Sequence, residues 1–316
     1  MIEVSIKGLG EGISKLLSKS FRVTEDAEIS IAWIRDEEDI EKNPSKVIVD
    51  LNFRSSDNDL DILGKKYGKV IIPKVNALFT LWQVFSSHFK RNVNVSIFAG
   101  VLPIHDSHPF RILPLKPAKD FMKIFQEEAF GVYKGKVESF NVLSLRRDVE
   151  IKIGDFYQLE AVIFGALDRF LLYKIGKKFH KLYFFLLGRK GFISDLSALL
   201  KFNLIECDEL YSSLNEYEDE DLFLFQISII NRFMKSLEVW KVEMEYDYSK
   251  NERAIDRATL ALIKILLKAI DVEKYKPGVL WPFDLFREEE YFELLVKEIK
   301  NVGGFISYEE FKYGYV

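Results

Sequence analysis

The sequence predicts an α/β protein: a parallel-sheet domain first, an α+β mixed-sheet domain second, and a C-terminal segment that returns to the first. Three observations carry this reading. A short apolar run, Ile2–Ile6, meets glycines at positions 8, 10 and 12 and then a helical stretch. Apolar runs alternate with helical patterns from there to about residue 100, as strands buried on both faces require. Beyond residue 136 the strand-like runs are grouped, which marks a mixed sheet.

The opening turn is the most informative stretch. Ile13–Lys19 reads as a helix with Ile13, Leu16 and Leu17 on one face. Strand, glycine turn and helix together open a dinucleotide-binding, Rossmann-like fold. Glycines let the backbone approach a pyrophosphate, and the helix N-terminus supplies free N–H groups and a positive dipole end. Gly8, Leu9, Gly10, Glu11 and Gly12 are therefore candidate cofactor contacts. The motif G-x-G-x-x-G/A is incomplete, its last position falling on Ile13 or, counted from Gly10, on Lys15. A plain glycine turn joining a strand to a helix is the competing reading.

Phe21–Thr24 reads as a second strand ending at Glu25 and Asp26, about 16 residues past the glycines. Dinucleotide folds place the carboxylate that grips ribose hydroxyls near there, so NAD is expected over NADP, with Arg22 and Arg35 able to reverse the preference. A charged strand end explains the two acids equally well. The third strand, Glu28–Ile34, follows within five residues, whereas a parallel crossover takes about a dozen. The helix–strand–helix usually inserted here is missing, so the nucleotide half is trimmed.

A short polar helix or loop (36–43), a strand (Lys46–Leu51), an acidic helix (Asp57–Tyr67), a strand (Lys69–Pro73), a helix (Leu78–Phe89) and a strand (Val93–Phe98) complete the first domain. Ligands collect at the carboxyl ends of such strands. Those ends are Gly8–Gly12, Trp33–Arg35, Leu51–Phe53, Lys74–Asn76 and Ala99–Pro103, which adds Trp33 and Asn52 to the cofactor candidates. Prolines then cluster between 103 and 117. Domain boundaries are drawn at 1–104, 105–270 and 271–316. Within the second domain, strands are expected at 136–145, 149–153, 181–187 and 222–230, and helices at 155–176 and 192–201. Glu206–Asp221, with eight acidic residues, reads as a solvated segment.

The last eighty residues add a resemblance. The alternating strand Val239–Tyr248, the helix Ala258–Ile270, the turn Pro277-Gly278-Val279, the helix Tyr291–Ile299 and the run Gly303–Tyr308 follow in an order similar to the C-terminal part of the saccharopine dehydrogenase family. That family includes saccharopine reductases and carboxynorspermidine dehydrogenases. The resemblance implies a helix returning to the nucleotide domain, an NAD(P) cofactor and hydride transfer to an amino-acid-like imine or carbonyl. Val49-Asp-Leu, Ile72-Pro-Lys-Val-Asn76 and Ala99–Pro103 also resemble segments of homoserine dehydrogenase. That likeness implies a catalytic role for Lys74, although Lys74 here precedes Asn76 instead of following it.

Composition narrows the function classes. A net charge of −4 gives no basic field for nucleic acid, and no apolar run is long enough to span a bilayer. The single cysteine, Cys207, excludes an internal disulfide and suits a cytoplasmic location. Abundant Lys, Glu and Ile resemble a thermophile's usage. Of the four histidines, His105-Asp-Ser-His108 comes closest to a ligand set, but a zinc or iron site needs three or four convergent ligands, so no metal is expected. His105, just past a strand end, is a candidate acid or base. Arg111 and Lys116 are candidates for pairing a substrate carboxylate, against a default of solvated charge. The expected partners are a small amino-acid-like substrate and a second copy of the chain. A non-catalytic relative, serving as a binding or assembly module, remains the rival reading.

Overall fold

A computed structural model describes residues 2–53, 57–87, 92–104, 112–113, 115, 118–149, 159–204, 220–231, 233–286 and 289–312. They form two compact units, Met1–Phe89 with Asp256–Gly304, and Lys90–Ile255 with Phe305–Val316. The sequence had drawn its divisions at 104 and 270. Elements are numbered along the chain.

In the first unit, β1 (Glu3–Lys7), β2 (Arg22–Val23), β3 (Ile29–Ala32), β4 (Val47–Asp50), β5 (Val70–Ile72) and β14 (Gly278–Val279) form one sheet in the order β14-β5-β4-β3-β1-β2. Every pairing is parallel. Strands β3, β4 and β5 are buried at every position, which explains their nearly unbroken apolar sequence. Helices α1 (Glu11–Ser20), α2 (Glu37–Glu41), α3 (Asp57–Tyr67) and α4 (Ala77–Ser87) fall between the strands where the periodicity predicts them. The α/β expectation is borne out.

The short step from β2 to β3 needs correction. Both run parallel to β1, on opposite sides of it, with only Thr24–Glu28 between them. The dozen-residue rule assumes that a connection must return along the length of a strand. Here β2 is two residues long and ends level with Val4, while Ser30 of β3 lies opposite Ser5. The link need only cross the width of one strand, about 10 Å between its neighbours, which five residues can span.

The C-terminal part completes this unit. Helix α8 (Ala254–Ala269) buries Leu260, Ile263, Leu266 and Leu267. Strand β14 occupies the free edge of β5, with the Gly278 N–H donating to the Lys69 carbonyl and the Leu280 N–H to the Ile71 carbonyl. Asp61 of α3 accepts from the Val279 N–H at 3.0 Å. Helix α9 (Pro282–Leu285) docks on α4, where Gln83 Oε1 accepts from the Phe283 N–H. Trp281, Phe283, Leu285 and Phe286 are all buried. Phe292 of α10 (Glu289–Asn301) meets Phe85 of α4 edge-on at 5.4 Å.

The second unit is built on a nine-stranded mixed sheet. Its path is β15 (Phe305–Lys312), β13 (Ser236–Glu245), β12 (Asp221–Asn231), β6 (Val93–Pro103), β11 (Phe179–Arg189), β10 (Leu159–Ile163) and β9 (Arg146–Val149). The hairpin β7 (Ala129–Tyr133) and β8 (Lys136–Phe140) joins it through β11. Only β6 and β11 are parallel; the other pairings are antiparallel. Helices α5 (Ala118–Lys123), α6 (Arg169–Ile175) and α7 (Phe192–Lys201) accompany the sheet.

Four sequence expectations change here. The strand beginning at Val93 was assigned to the parallel sheet but lies at the centre of the mixed one. Every residue from Phe98 to Pro103 is buried and so needs neighbours on both edges, which β11 and β12 provide, while β14 holds the edge of β5. The helix expected over 155–176 is, in its described part, a strand followed by the shorter helix α6. The apolar run Leu159–Ile163 fits a central strand, and Asp168 starts α6 by accepting from the Phe170 and Leu171 N–H groups. Phe305–Lys312 pairs with β13 instead of returning to the first sheet. Finally, Asp221 is fully buried, not solvated: its carboxylate accepts from the Ala254 and Ile255 N–H groups and caps α8.

Two outcomes test this packing. Truncation after Asp271 removes β14, α9 and the four buried side chains beside them, worth about 1.5–3 kcal/mol each, and should lower the melting temperature by at least about 10 °C; an unchanged melting temperature would contradict the arrangement. Asp61 tests the attachment of β14 by pH. Burial raises its carboxyl pKa, but the Lys65 ammonium and the Val279 N–H lower it by more, so the net shift is downward. A depressed carboxylate stabilises fully above its unfolded value near 4, and that contribution is lost as pH falls through the folded value. The stability gap between wild type and Asp61→Asn, followed by urea unfolding, should therefore be widest at neutral pH and shrink in acid.

Candidate functional site

The carboxyl edge of the parallel sheet gathers the loops after β1, β3, β4 and β5. After β1, Gly8 has φ +68°, a left-handed conformation that disfavours a Cβ. Gly10 is extended and precedes α1, and a Cβ on it would meet nothing within 4 Å. No side chain caps α1, and among the described residues no acceptor is found for the N–H groups of Glu11, Gly12 and Ile13. This is an open turn at a ten-residue helix N-terminus, with free donors and the positive dipole end. Gly12 has a different reason to be glycine: a Cβ there would lie 2.8 Å from Asp256 Oδ2.

A buried carboxylate sets the next two loops. Asp50, the last residue of β4, is fully buried, and its Oδ1 accepts from the Ile34 N–H at 3.1 Å and from the Asn52 N–H at 2.9 Å. Its backbone carbonyl accepts from the Val75 N–H at 2.8 Å. Asn52 returns the tie by donating its side-chain amide to the Ile34 carbonyl. The loops after β3, β4 and β5 are thus held on one residue.

Lys74, after β5, has φ +55°, a conformation that strains a residue with a Cβ. Its carbonyl accepts from Thr80 Oγ1 at 2.5 Å and from the Asn76 N–H at 2.8 Å, which holds the strained turn in place. Asn76 Oδ1 then accepts from the Leu78 N–H at the start of α4. An aromatic wall runs along the same edge: Trp33 meets Phe53 edge-on at 5.5 Å, and Phe53 stacks on Phe79 at 5.8 Å.

Among the residues predicted from sequence, Gly8, Leu9, Gly10, Glu11 and Gly12 form the turn, and Trp33, Asn52 and Lys74 lie on the neighbouring loops. Asn52 is buried and spends its amide on the protein. Glu25 and Asp26 are exposed in the turn after β2, whose last residue is level with Val4, four residues short of Gly8. His105, Arg111 and Lys116 lie outside the described residues. No group of three or more metal-binding side chains occurs among the described residues. Arg146 and Arg147, with Asp148, Glu160 and Ser194, line a separate groove of about 530 Å³ in the second unit. There the Glu160 carboxylate already accepts from the Ile193 N–H.

Two residues at the edge take places that the sequence does not assign them. Asp50 reads from the sequence only as a strand end, yet an acid closing the run Val47–Val49 signals a buried acceptor. Arg35 reaches across to the glycine turn, with Nη2 3.6 Å from where a Cβ on Gly8 would stand.

Comparison with known proteins adds evidence on the fold. No protein-family model matches the sequence, and no curated protein matches it. Among solved structures, apo histidine-tagged saccharopine dehydrogenase (L-Glu forming) from Saccharomyces cerevisiae is similar with a TM-score of 0.64 and 12% identity, covering 98% of this chain and 100% of that one. GenD2 from gentamicin A biosynthesis, in complex with NAD, gives a TM-score of 0.31 at 8% identity over 97% of this chain and 96% of that one, too low to carry an argument. The first likeness shows that this chain has a saccharopine dehydrogenase-like fold. No helix among the described residues is long and apolar enough to cross a membrane.

The loop network makes a prediction of its own. Asp50→Ala leaves the Ile34 and Asn52 N–H groups without their acceptor, at about 1–3 kcal/mol each, so urea unfolding should show a loss of about 2–6 kcal/mol. Asp50→Asn keeps an oxygen in place and should cost distinctly less. Equal losses would mean that something other than these two hydrogen bonds fixes the edge.

Proposed function

We propose that the chain is an NAD(P)-dependent oxidoreductase acting on an amino-acid-like substrate. The observation that carries this is the open glycine turn on the parallel sheet's carboxyl edge, with free N–H donors at the start of α1. A pyrophosphate matches that donor set, and the space at Gly10 leaves room for its approach. The fold shared with saccharopine dehydrogenase supports the same reading.

The cofactor, when bound, supplies hydride transfer to or from an imine or carbonyl carbon. The chain's residues supply the rest. Gly8–Ile13 hold the phosphates, and the Trp33–Phe53–Phe79 wall gives the edge a dry side that keeps water from the reacting centre. Lys74, fixed by its constrained backbone, is the candidate to hold a proton for the substrate's nitrogen or oxygen. Glu25 and Asp26 are exposed in the turn after a two-residue β2, so their carboxylates give only weak grounds for preferring NAD over NADP.

Asp256 favours a second reading. Its carboxylate lies against Gly12 in the first turn of α1, placing the protein's own negative charge where an anion would bind. In a non-catalytic module this carboxylate would take the place of the phosphates. One experiment separates the two readings: thermal unfolding with and without NADH or NADPH. A ligand at about 100 times its dissociation constant adds about 2.7 kcal/mol and raises the melting temperature by several degrees. No shift with either dinucleotide at millimolar concentration would favour the module.

A further inference from the structure

We propose that Arg35 is the phosphate clamp of the glycine turn, its guanidinium pairing with the pyrophosphate of the bound dinucleotide; this rests on the dinucleotide reading above. The loop that carries Arg35 is fixed to β1, because the Trp33 N–H donates to the Lys7 carbonyl at 3.1 Å. The Arg35 N–H donates to Asp39 Oδ2 at 2.8 Å, which fixes the residue at the start of α2. From there Nη2 comes within 3.6 Å of the position a Cβ on Gly8 would take. Of the neighbouring acids, Asp36 Oδ1 accepts from the Asp39 N–H, and Asp39 Oδ2 accepts from the Arg35 backbone N–H. Among the described residues no carboxylate pairs with the Arg35 guanidinium.

A planar, permanently charged fork facing a turn of free N–H groups matches the geometry of a phosphate diester. Its side of the sheet identifies which phosphate. The strand order places β2 and β3 on opposite sides of β1, and Arg35 follows β3. The adenosine ribose of a dinucleotide lies on the β2 side. Arg35 therefore meets the pyrophosphate, common to NADH, NADPH and ADP, and not the 2′-phosphate that distinguishes NADPH. This differs from the role sequence alone allowed it, that of reversing a preference between NAD and NADP.

The test is calorimetric titration of the full chain, wild type against Arg35→Gln and Arg35→Lys, with NADH, NADPH, ADP and adenosine. Arg35 is exposed, so both variants should fold with unchanged melting temperature in the absence of ligand. Losing a charge-assisted contact should weaken NADH, NADPH and ADP alike, by roughly tenfold to a hundredfold. Adenosine, which has no phosphate, should be unaffected, and Arg35→Lys should recover part of the loss. The penalty should shrink as salt is raised. Unchanged ADP affinity in Arg35→Gln, or a loss confined to NADPH, would overturn the clamp while leaving the dinucleotide reading intact. A wild-type chain that binds none of the three phosphate ligands would overturn both.

Discussion

A carboxylate removed from water must find donors, and the way Asp50 finds them organises the candidate site. Burial in an apolar sheet costs several kcal/mol unless the lone pairs are satisfied. Asp50 satisfies Oδ1 with two backbone N–H groups from separate loops and gives its own carbonyl to a third. Each of those loops would otherwise choose its own path over the end of the sheet. Held on one residue, they put Trp33, Asn52 and Lys74 at fixed positions beside the glycine turn. The strain at Lys74 persists because its carbonyl is held by Thr80 and Asn76.

Much of the first unit was legible in the sequence because its signals are local. Gly8 sits where a positive φ is needed, the apolar runs are strands buried on both faces, and the apolar stripe of α4 finds α9 and α10. What could not be read depends on sheet edges and lengths. Nothing in Val93–Phe98 distinguishes a strand of the parallel sheet from one of the mixed sheet; the edge of β5 decides, and β14 claims it from two hundred residues away. The shortness of β2 was equally invisible. It makes the narrow crossing to β3 possible and puts Glu25 and Asp26 in the exposed turn that follows it.

The candidate site divides along the same line. The glycines are legible because residue types at fixed spacing mark a turn; Arg35 is legible from sequence only as a charge that could switch NAD for NADP, because its approach to the turn depends on another loop. Arg35 lies 27 positions from Gly8 yet comes beside it through the β1–β3 pairing. Asp221 shows the same limit in the second unit: in an acidic run it reads as solvated, and only the position of α8 reveals it as a cap.

The discontinuity of the first unit also bears on how the chain is made. Its sheet is unfinished when residue 89 leaves the ribosome, because β14 has yet to be synthesised and the edge of β5 stays bare. The second unit is nearly contiguous and lacks only β15 when residue 255 has emerged. Domains usually fold in the order of synthesis. In this chain the later-encoded unit can close first, while the N-terminal sheet waits for a strand more than two hundred residues downstream. Pairings over such separations are slow to form. The nascent N-terminal segment therefore keeps the edge of β5 unpaired until β14 has been made.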